Sequence, residues 1–489
     1  MAKPRSPQNP YAPKTTKAAA PSAQNPGKPK SAEKPKSFPA RTVTPQVAQS
    51  RTVSTPAPSR QTVAPPPSPA FGARISRRAS DRLRNGHLWV YATDIESINA
   101  INTGESGSLL PVADNRGILM GTALYSPASQ IALRMVSREA IDQAQWLELL
   151  AARLRTAIAR RKPLLTEDTN ACRLVFSEAD DLPGLIVDKY ASMVIVQLLA
   201  KGLDSAEVRE VCTNVLREEL SGEEAAQTGG LTIWERPDPR IRELEGLSAP
   251  ATAPLYSSDP ATPVASTIFR LNGLGFHFDV NSGQKTGAFL DQRQNYAAAA
   301  AWAKAHGAKK ALDVCTYQGG FALHLAQVCE QVTGIDASRA SLEVAERNLI
   351  LNRETNPQKL KAEVDWVEAD VFELLRGWSD SQEIPGYDLI VLDPPAFAKS
   401  KRAVEGALRG YKELNLRALR MIRPGGLLIT CSCSHHVTWS DLESAVASAA
   451  ADAHRRVTLL SRRGAAPDHP VVLNLPETEY LKCLICRVD

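Results

Sequence analysis

From about residue 266 the chain settles into a rhythm. Short, almost uninterrupted apolar runs alternate with stretches of helical period. The runs are KALDVC (310–315), QVTGID (331–336), VDWVEAD (364–370), YDLIVLD (387–393) and GLLITCS (426–432), with SLEVAERNLILN and GYKELNLRALRMI among the stretches between them. A strand that is apolar on both faces must be covered on both faces, so the pattern predicts a parallel sheet between layers of helix. The ending departs from it: RRVTLLSRR and EYLKCLICRVD are two strand-like runs joined by a long loop.

At 489 residues the chain is too long for one core. Residues 1–70 stand apart. They hold 16 of the 34 prolines, and 11 Lys and Arg against the single acid Glu33, with no hydrophobic period. Such a segment cannot offset its ordering entropy by burial and is expected to be disordered. A solubilising tail, a salt-sensitive RNA contact and an organellar transit peptide are its readings, and the density of proline speaks against the last. Because the tail is so basic, the remainder is net acidic although the whole chain carries +5. Contact with nucleic acid must then come from local patches.

Residues 71–140 read as a small β-rich domain. Its opening, ARISRRASDRLRNGHLWVYATDI, gathers Arg74, Arg78, Arg82 and Trp89, side chains suited to phosphate contact and base stacking. The alternative is a solvated charged helix with Trp89 in the core. Residues 141–265 read as a second α/β unit: an amphipathic helix, three strands around an Asp-Asp-Leu-Pro-Gly turn, a helix, then a strand, turn and helix, with ATAPLYSSDPATPVAST as a loop or insertion. The fold class expected is α/β, with a Rossmann-like domain at 266–489 preceded by a central α/β domain and the β-rich domain. The eight cysteines are scattered, which suits reduced thiols in a cytoplasmic protein. No apolar run is long enough to predict a membrane span, and the N-terminus lacks the apolar core of a secretory signal.

An open parallel sheet binds its ligand at the carboxyl ends of its strands. There the sequence places LDVCTYQGG, with Asp313, Tyr317, Gly319 and Gly320; TGIDAS, with Asp336; EADVFELL, with Asp370; and IVLDPPAF, with Asp393. The first loop is not G-x-G-x-x-G, which disfavours a pyrophosphate cofactor. Asp336 is spaced to meet ribose hydroxyls, and Asp370 to meet an adenine amino group. Singly, each acid is as well explained as a helix N-cap. Four in register point to S-adenosyl-L-methionine.

In this order the motifs resemble the bacterial large-subunit (23S-type) ribosomal RNA cytosine-5-methyltransferases, class I enzymes with an N-terminal PUA domain. The resemblance covers 71–489. It rests on YSPASQIALR (125–134), SEADDLPGLIVDKY (177–190), GQKTGAFLDQR (283–293), DPPAFAKSK, RGYKELN (409–415), SCS (432–434) and DHPV (468–471). Residues 249–267 depart from it. It implies an RNA-holding PUA domain, a catalytic Rossmann-like domain that ends in a hairpin, ribosomal RNA as partner, and room for a homodimer. Gln292 and Arg293 join the expected cofactor contacts.

Carbon 5 of cytosine is a poor nucleophile. A thiolate that adds to carbon 6 makes it enamine-like, so the reaction needs one activated Cys. The resemblance assigns that role to Cys433 and places Asp393 at the cytosine edge. Alternation along a strand puts Cys431 and Cys433 on one face, with Cys431 deeper. The segment PPAF lacks the second Cys that many RNA cytosine-5-methyltransferases use for product release, which leaves the proton acceptor unidentified. A zinc site through C-x-C-x-H-H fails on strand geometry, so no metal is expected; Cys483 and Cys486 read as core. Two rival functions remain: methylation of an exocyclic base nitrogen through the Asp-Pro-Pro loop, and a non-catalytic RNA-binding factor.

Overall fold

A computed structural model of the chain describes residues 72–99, 109–222, 230–236, 238–247, 252–281, 287–398 and 400–489. The basic tail, residues 249–251 of the departure at 249–267, residues 283–286 of the GQKTGAFLDQR stretch and Lys399 lie outside the described residues.

The first sheet uses β1 (Gly72–Ile75), β2 (Trp89–Tyr91), β3 (Ile95–Asn99), β4 (Leu109–Ala113), β5 (Leu119–Tyr125) and β6 (Ile131–Ser137), in the order β2-β6-β5-β4-β1-β3. The arginine-rich opening forms a helix over Arg77–Arg84 whose N-cap Ser76 accepts from the Ala79 amide. Only Ala79, Ser80 and Leu83 of that helix are buried, and Leu83 joins Ile75, Val90, Leu110 and Leu133 in a small core.

The second sheet follows a helix over Gln143–Arg161 that starts at an Asp142–Gln145 capping box. Its strands are β7 (Ala171–Phe176), β8 (Leu185–Tyr190), β9 (Met193–Leu198), β10 (Thr232–Glu235) and β11 (Tyr256–Ser257), in the order β11-β10-β9-β8-β7. Helices over Ala206–Leu220 and Pro239–Glu245 complete it. The stretch expected as a loop thus contributes a strand: Tyr256 and Ser257 pair with Ile233 and Thr232.

A hairpin then intervenes that the sequence reading does not contain. β12 (Ser266–Leu271) and β13 (Leu274–Asp279) pair around Asn272 and Gly273, at φ 54° and 76°. Two positive φ values in a two-residue loop are what the twist of a tight hairpin demands. The Phe269 and Phe278 rings lie 5.1 and 4.1 Å from that of Tyr190 on β8.

The third sheet holds β14 (Lys310–Val314), β15 (Gln331–Asp336), β16 (Glu363–Glu368), β17 (Tyr387–Leu392), β18 (Ile422–Ser432), β19 (Val457–Arg463) and β20 (Lys482–Val488), in the order β16-β15-β14-β17-β18-β20-β19. The first five run parallel, and β20 and β19 close the edge antiparallel. Alternation divides its residues between two cores. Ala311, Leu389, Val391 and Ile429 face one, with Phe321 and the hairpin phenylalanines; Leu312, Ile390, Leu428 and Leu484 face the other, with Tyr411 and Leu442. Each buried Val, Leu, Ile or Phe among them, taken from water, contributes about 1.5–3 kcal/mol. Strand order reverses at β14, between β15 and β17, which opens a crevice at the carboxyl ends of the strands.

Candidate active site

That crevice is the floor of a cavity of about 1190 Å³. Its walls come from all three sheets: Trp89 and Tyr91 from the first, Arg173, Phe176 and Gln197 from the second, and Asp336, Asp393 and Cys433 from the third. A volume above the usual range for one small ligand leaves room for a cofactor and a second group together.

At the cofactor end the chain leaves β14 through a tightly wound loop. Cys315 and Tyr317 take φ 64° and 53°, and Gly319 takes 85°. Two left-handed non-glycine residues cost on the order of 1–3 kcal/mol each and persist only where neighbours hold them. The holding bonds run to β15: the Thr316 amide donates to the Ile335 carbonyl at 2.9 Å, and the Tyr317 amide to Asp336 Oδ2 at 2.9 Å. At Gly320 a Cβ would sit 2.5 Å from the Tyr296 ring, so only glycine fits. Asp336 Oδ1 also accepts from the Ser338 amide at 2.9 Å. Asp370 Oδ1 caps the next helix through the Phe372 and Glu373 amides at 2.9 and 3.1 Å. Both carboxylates line the cavity with Tyr317, Gly320, Phe372 and Phe397. Adjacent carboxylates, a close backbone approach and aromatic faces suit a nucleoside with ribose hydroxyls, and S-adenosylmethionine fits this set.

Three of the expected cofactor contacts do not reach the cavity wall. Asp313 is buried, and its Oδ2 takes the Thr316 hydroxyl at 2.6 Å and the Ala322 amide at 2.9 Å. Burial pushes its carboxyl up to about 7, against the pull of those two bonds. It shapes the loop from behind, and Gly319 supplies only the turn. Arg293 is turned the other way: its Nη1 donates to the Ala171 carbonyl at 3.2 Å and its Nη2 to Asp468 Oδ1 at 3.3 Å. Gln292 does line the cavity, with its Oε1 accepting from Asn295 at 2.7 Å and its side-chain amide beside the Cys431 thiol.

At the other end β18 runs out beside the Asp393-Pro394-Pro395 turn. Cys431 is fully buried and pairs in register with Cys483. A hydrogen bond with Cys483, and then burial, hold its thiol well above the ordinary range. Cys433, two residues on, is half-buried on the cavity wall, with its Sγ 3.9 Å from the Pro394 carbonyl. The flanking serines fix it. Ser432 Oγ donates to the Tyr411 hydroxyl at 2.8 Å, Ser434 Oγ lies 3.2 Å from the same hydroxyl, and the Ala398 amide donates to Ser434 Oγ at 3.3 Å. Below them the buried Lys482 ammonium donates to the carbonyls of Ser434 and Tyr480 at 2.9 and 3.0 Å. Burial draws its pKa down, while Glu479 and Cys433 oppose that. The second cavity cysteine, Cys315, has the opposite setting: burial, then Asp336 and Asp393, push its thiol far above the ordinary range. Of the two cavity thiols, only Cys315 is held protonated by burial and carboxylates, while Cys433 interacts with the Lys482 ammonium. His435 and His436 line the cavity, and the His435 ring lies 5.4 Å from that of Tyr480.

The predicted RNA contacts separate. Arg78 is exposed and Arg74 partly so. Arg82 has a protein partner: its Nη2 pairs with Asp94 at 2.6 Å while its guanidinium covers the Tyr91 ring. Trp89 is neither core nor open surface. Its Nε1 donates to Glu178 at 2.8 Å and its ring lines the cavity. The sequence reading also misses Asp291, Tyr480 and Lys482. Lysine inside the apolar run EYLKCLICRVD is a signal that could have marked the last.

Comparison with known proteins agrees with this layout. A family model described as a PUA-like domain matches residues 73–138, and one described as an S-adenosylmethionine-dependent methyltransferase matches 248–484. The ribosomal RNA large subunit methyltransferase I of Shewanella denitrificans is 36 % identical over 411 residues, covering 83 % of this chain and 96 % of that protein. That of Pseudoalteromonas translucida is 35 % identical over the same shares. A protein described as an S-adenosylmethionine-dependent methyltransferase from Streptococcus mutans has the same fold, with TM-score 0.66, 19 % identity, and coverage of 85 % of this chain and 99 % of that one.

Proposed function

This chain belongs to the ribosomal RNA large subunit methyltransferase I family of S-adenosylmethionine-dependent enzymes, and from that premise we propose that it forms 5-methylcytosine in large-subunit ribosomal RNA through a Cys433–cytosine adduct. The observation that carries the reading is the position of Cys433. Its sulfur is on the cavity wall at the Asp393-Pro394 turn, and the buried Lys482 ammonium bonds the carbonyl of the next residue, Ser434.

The chain's residues divide the work. Tyr317, Gly320, Asp336 and Asp370 hold the cofactor. S-adenosylmethionine, when bound, supplies an electrophilic methyl group on a sulfonium. Cys433 adds to carbon 6 of the cytosine, and carbon 5 becomes nucleophilic. Asp393, at the end of β17, meets the edge of the base near nitrogen 3 and the amino group, where charge develops during that addition. To enter a cavity this deep the base must leave its stack. Trp89, on the cavity wall, and the exposed Arg78 are RNA contacts in this reading. The domains of this reading are 71–140, 141–265 and 266–489, after a tail at 1–70. A cytoplasmic enzyme, where its ribosomal RNA is found, and a homodimer belong to the same reading; sedimentation tests the second. Among the described residues no helix is long and apolar enough to cross a membrane.

Nucleoside mass spectrometry of ribosomal RNA treated with the purified protein should show 5-methylcytidine. Cys433→Ala should abolish it while calorimetric binding of S-adenosylmethionine persists. Transfer by that variant at the wild-type rate would refute the covalent route. A methyl group on an exocyclic nitrogen would favour the rival activity, for which Phe397 stands one residue too far from Pro395.

A further inference from the structure

The covalent route leaves one step without a group to perform it. Once carbon 5 carries a methyl group it still holds its original hydrogen. That proton has to leave before the ring can be restored. Sulfur and methyl enter from opposite faces of the ring, so the hydrogen comes to lie on the face that carries the sulfur. The base must then stand on the Cys433 side of the cavity.

We propose that Asp291 is this base, an assignment that rests on the covalent reading. The residue lines the cavity and is buried, with only 6 % of it exposed. Oδ2 accepts the Tyr480 hydroxyl, while Oδ1 is buried with no hydrogen-bond partner among the described residues. A buried carboxylate oxygen without a partner is costly, and it is retained where a ligand or a reaction uses it. A short chain of bonds links it to the nucleophile. Tyr480 holds Asp291 through its hydroxyl, the Tyr480 carbonyl accepts from Lys482, and Lys482 also donates to the Ser434 carbonyl, next to Cys433. Asp393 is committed to the edge of the base, and the Tyr480 hydroxyl to Asp291.

The step balances within the site. The carbon 5–hydrogen bond breaks and its proton passes to Asp291 Oδ1. The electron pair left behind forms the carbon 5–carbon 6 double bond. The carbon 6–sulfur bond breaks and returns the Cys433 thiolate. Water at the cavity mouth then takes the proton from Asp291.

The test is a trapped adduct. Asp291→Asn, given ribosomal RNA and methyl-labelled S-adenosylmethionine, should form a labelled protein–RNA adduct that survives a denaturing gel. Release of methylated RNA from it should slow roughly 10²–10⁴-fold, the usual weight of a general base. Tritium release from RNA carrying [5-³H]cytosine should slow in parallel. Tyr480→Phe keeps the carboxylate and should release faster than Asp291→Asn. Should Asn at 291 unfold the protein, judged by loss of cofactor binding, Asp291→Glu takes its place and should also slow release. Three results would overturn the proposal: wild-type release by the position-291 variant, no adduct from a variant that binds cofactor and RNA normally, or trapping by His435→Ala in its stead. Failure of the covalent reading looks different. The wild type then methylates without making 5-methylcytosine and no variant yields an adduct, which overturns both.

Discussion

Arg293 and Asp468 are 175 residues apart in sequence and meet in the interior, Nη2 to Oδ1, at 3.3 Å. Asp468 does more than pair. Its Oδ2 accepts from the Arg173 amide at 3.0 Å, and its carbonyl from Arg161 at 3.3 Å. Arg161 is itself held by both oxygens of Asp180, at 2.6 and 2.7 Å. One aspartate in the loop before β20 thereby joins the first helix of the third sheet to the second sheet.

Arg293→Ala should therefore act on stability. Removing one partner of a buried ion pair costs about 3–5 kcal/mol. Urea unfolding should show a loss of that size, and calorimetry of the folded variant should show affinity for S-adenosylmethionine close to wild type. A large fall in affinity at unchanged stability would restore Arg293 as a cofactor contact.

The two cysteines of the cavity should differ in reactivity. At neutral pH iodoacetamide should modify Cys433 and leave Cys315 unmodified, read by peptide mass spectrometry. Lys482→Met removes the ammonium beside Cys433 and should slow that alkylation several-fold. An unchanged rate would mean that the ammonium does not assist the thiolate.

Two buried aspartates should respond to pH with opposite signs. The Asp313 carboxyl is raised to about 7, chiefly by burial, from an ordinary 3.8. The folded protein then keeps a proton that the unfolded chain gives up, so stability falls as pH rises between those values, by at most about 1.4 kcal/mol per unit. Asp313→Asn should remove that slope. Asp468 is also raised by burial, but the bond with His469 and the charges of His469 and Arg293 outweigh it and hold it below the ordinary value. Its contribution is present above pH 3.8 and is lost as pH falls through its folded value. Asp468→Asn should soften acid unfolding in that range.

Trp89→Ala should raise the KM for a ribosomal RNA fragment, roughly 5–100-fold if the ring stacks on a base. Affinity for S-adenosylmethionine should hold, since Trp89 belongs to the first sheet and bonds Glu178, while the cofactor loops follow strands of the third. Equal effects on both ligands would make Trp89 a structural strut for Glu178.

The parallel sheet was legible because strands buried on both faces need apolar residues at every position. KALDVC, YDLIVLD and GLLITCS therefore announce β14, β17 and β18. The hairpin was not, although Asn272-Gly273 is a strong turn signal. Two strands alone are unstable, and these rely on Tyr190 and on Asn348 and Asn352, whose side chains hold the backbone at His277 and Gly275. The acids divide similarly. Asp313 and Asp336 each end a strand and look alike in sequence. Only the packed loop shows that one carboxylate faces the core and the other the cavity. Arg82 is paired with Asp94, a pairing that no local pattern announces. The motifs fared better as a set. RGYKELN accompanies SCS because Tyr411 bonds both serines, and SEADDLPGLIVDKY accompanies DHPV through Arg161 and Asp180.

Trp89 and Tyr91 form part of the chamber wall. The PUA-like sheet is thus not a tether that could be exchanged for another or cut away without opening the chamber. Its removal would leave Cys433 and Asp393 facing bulk water on one side. Selectivity and chemistry share one piece of architecture, and each constrains how far the other can drift.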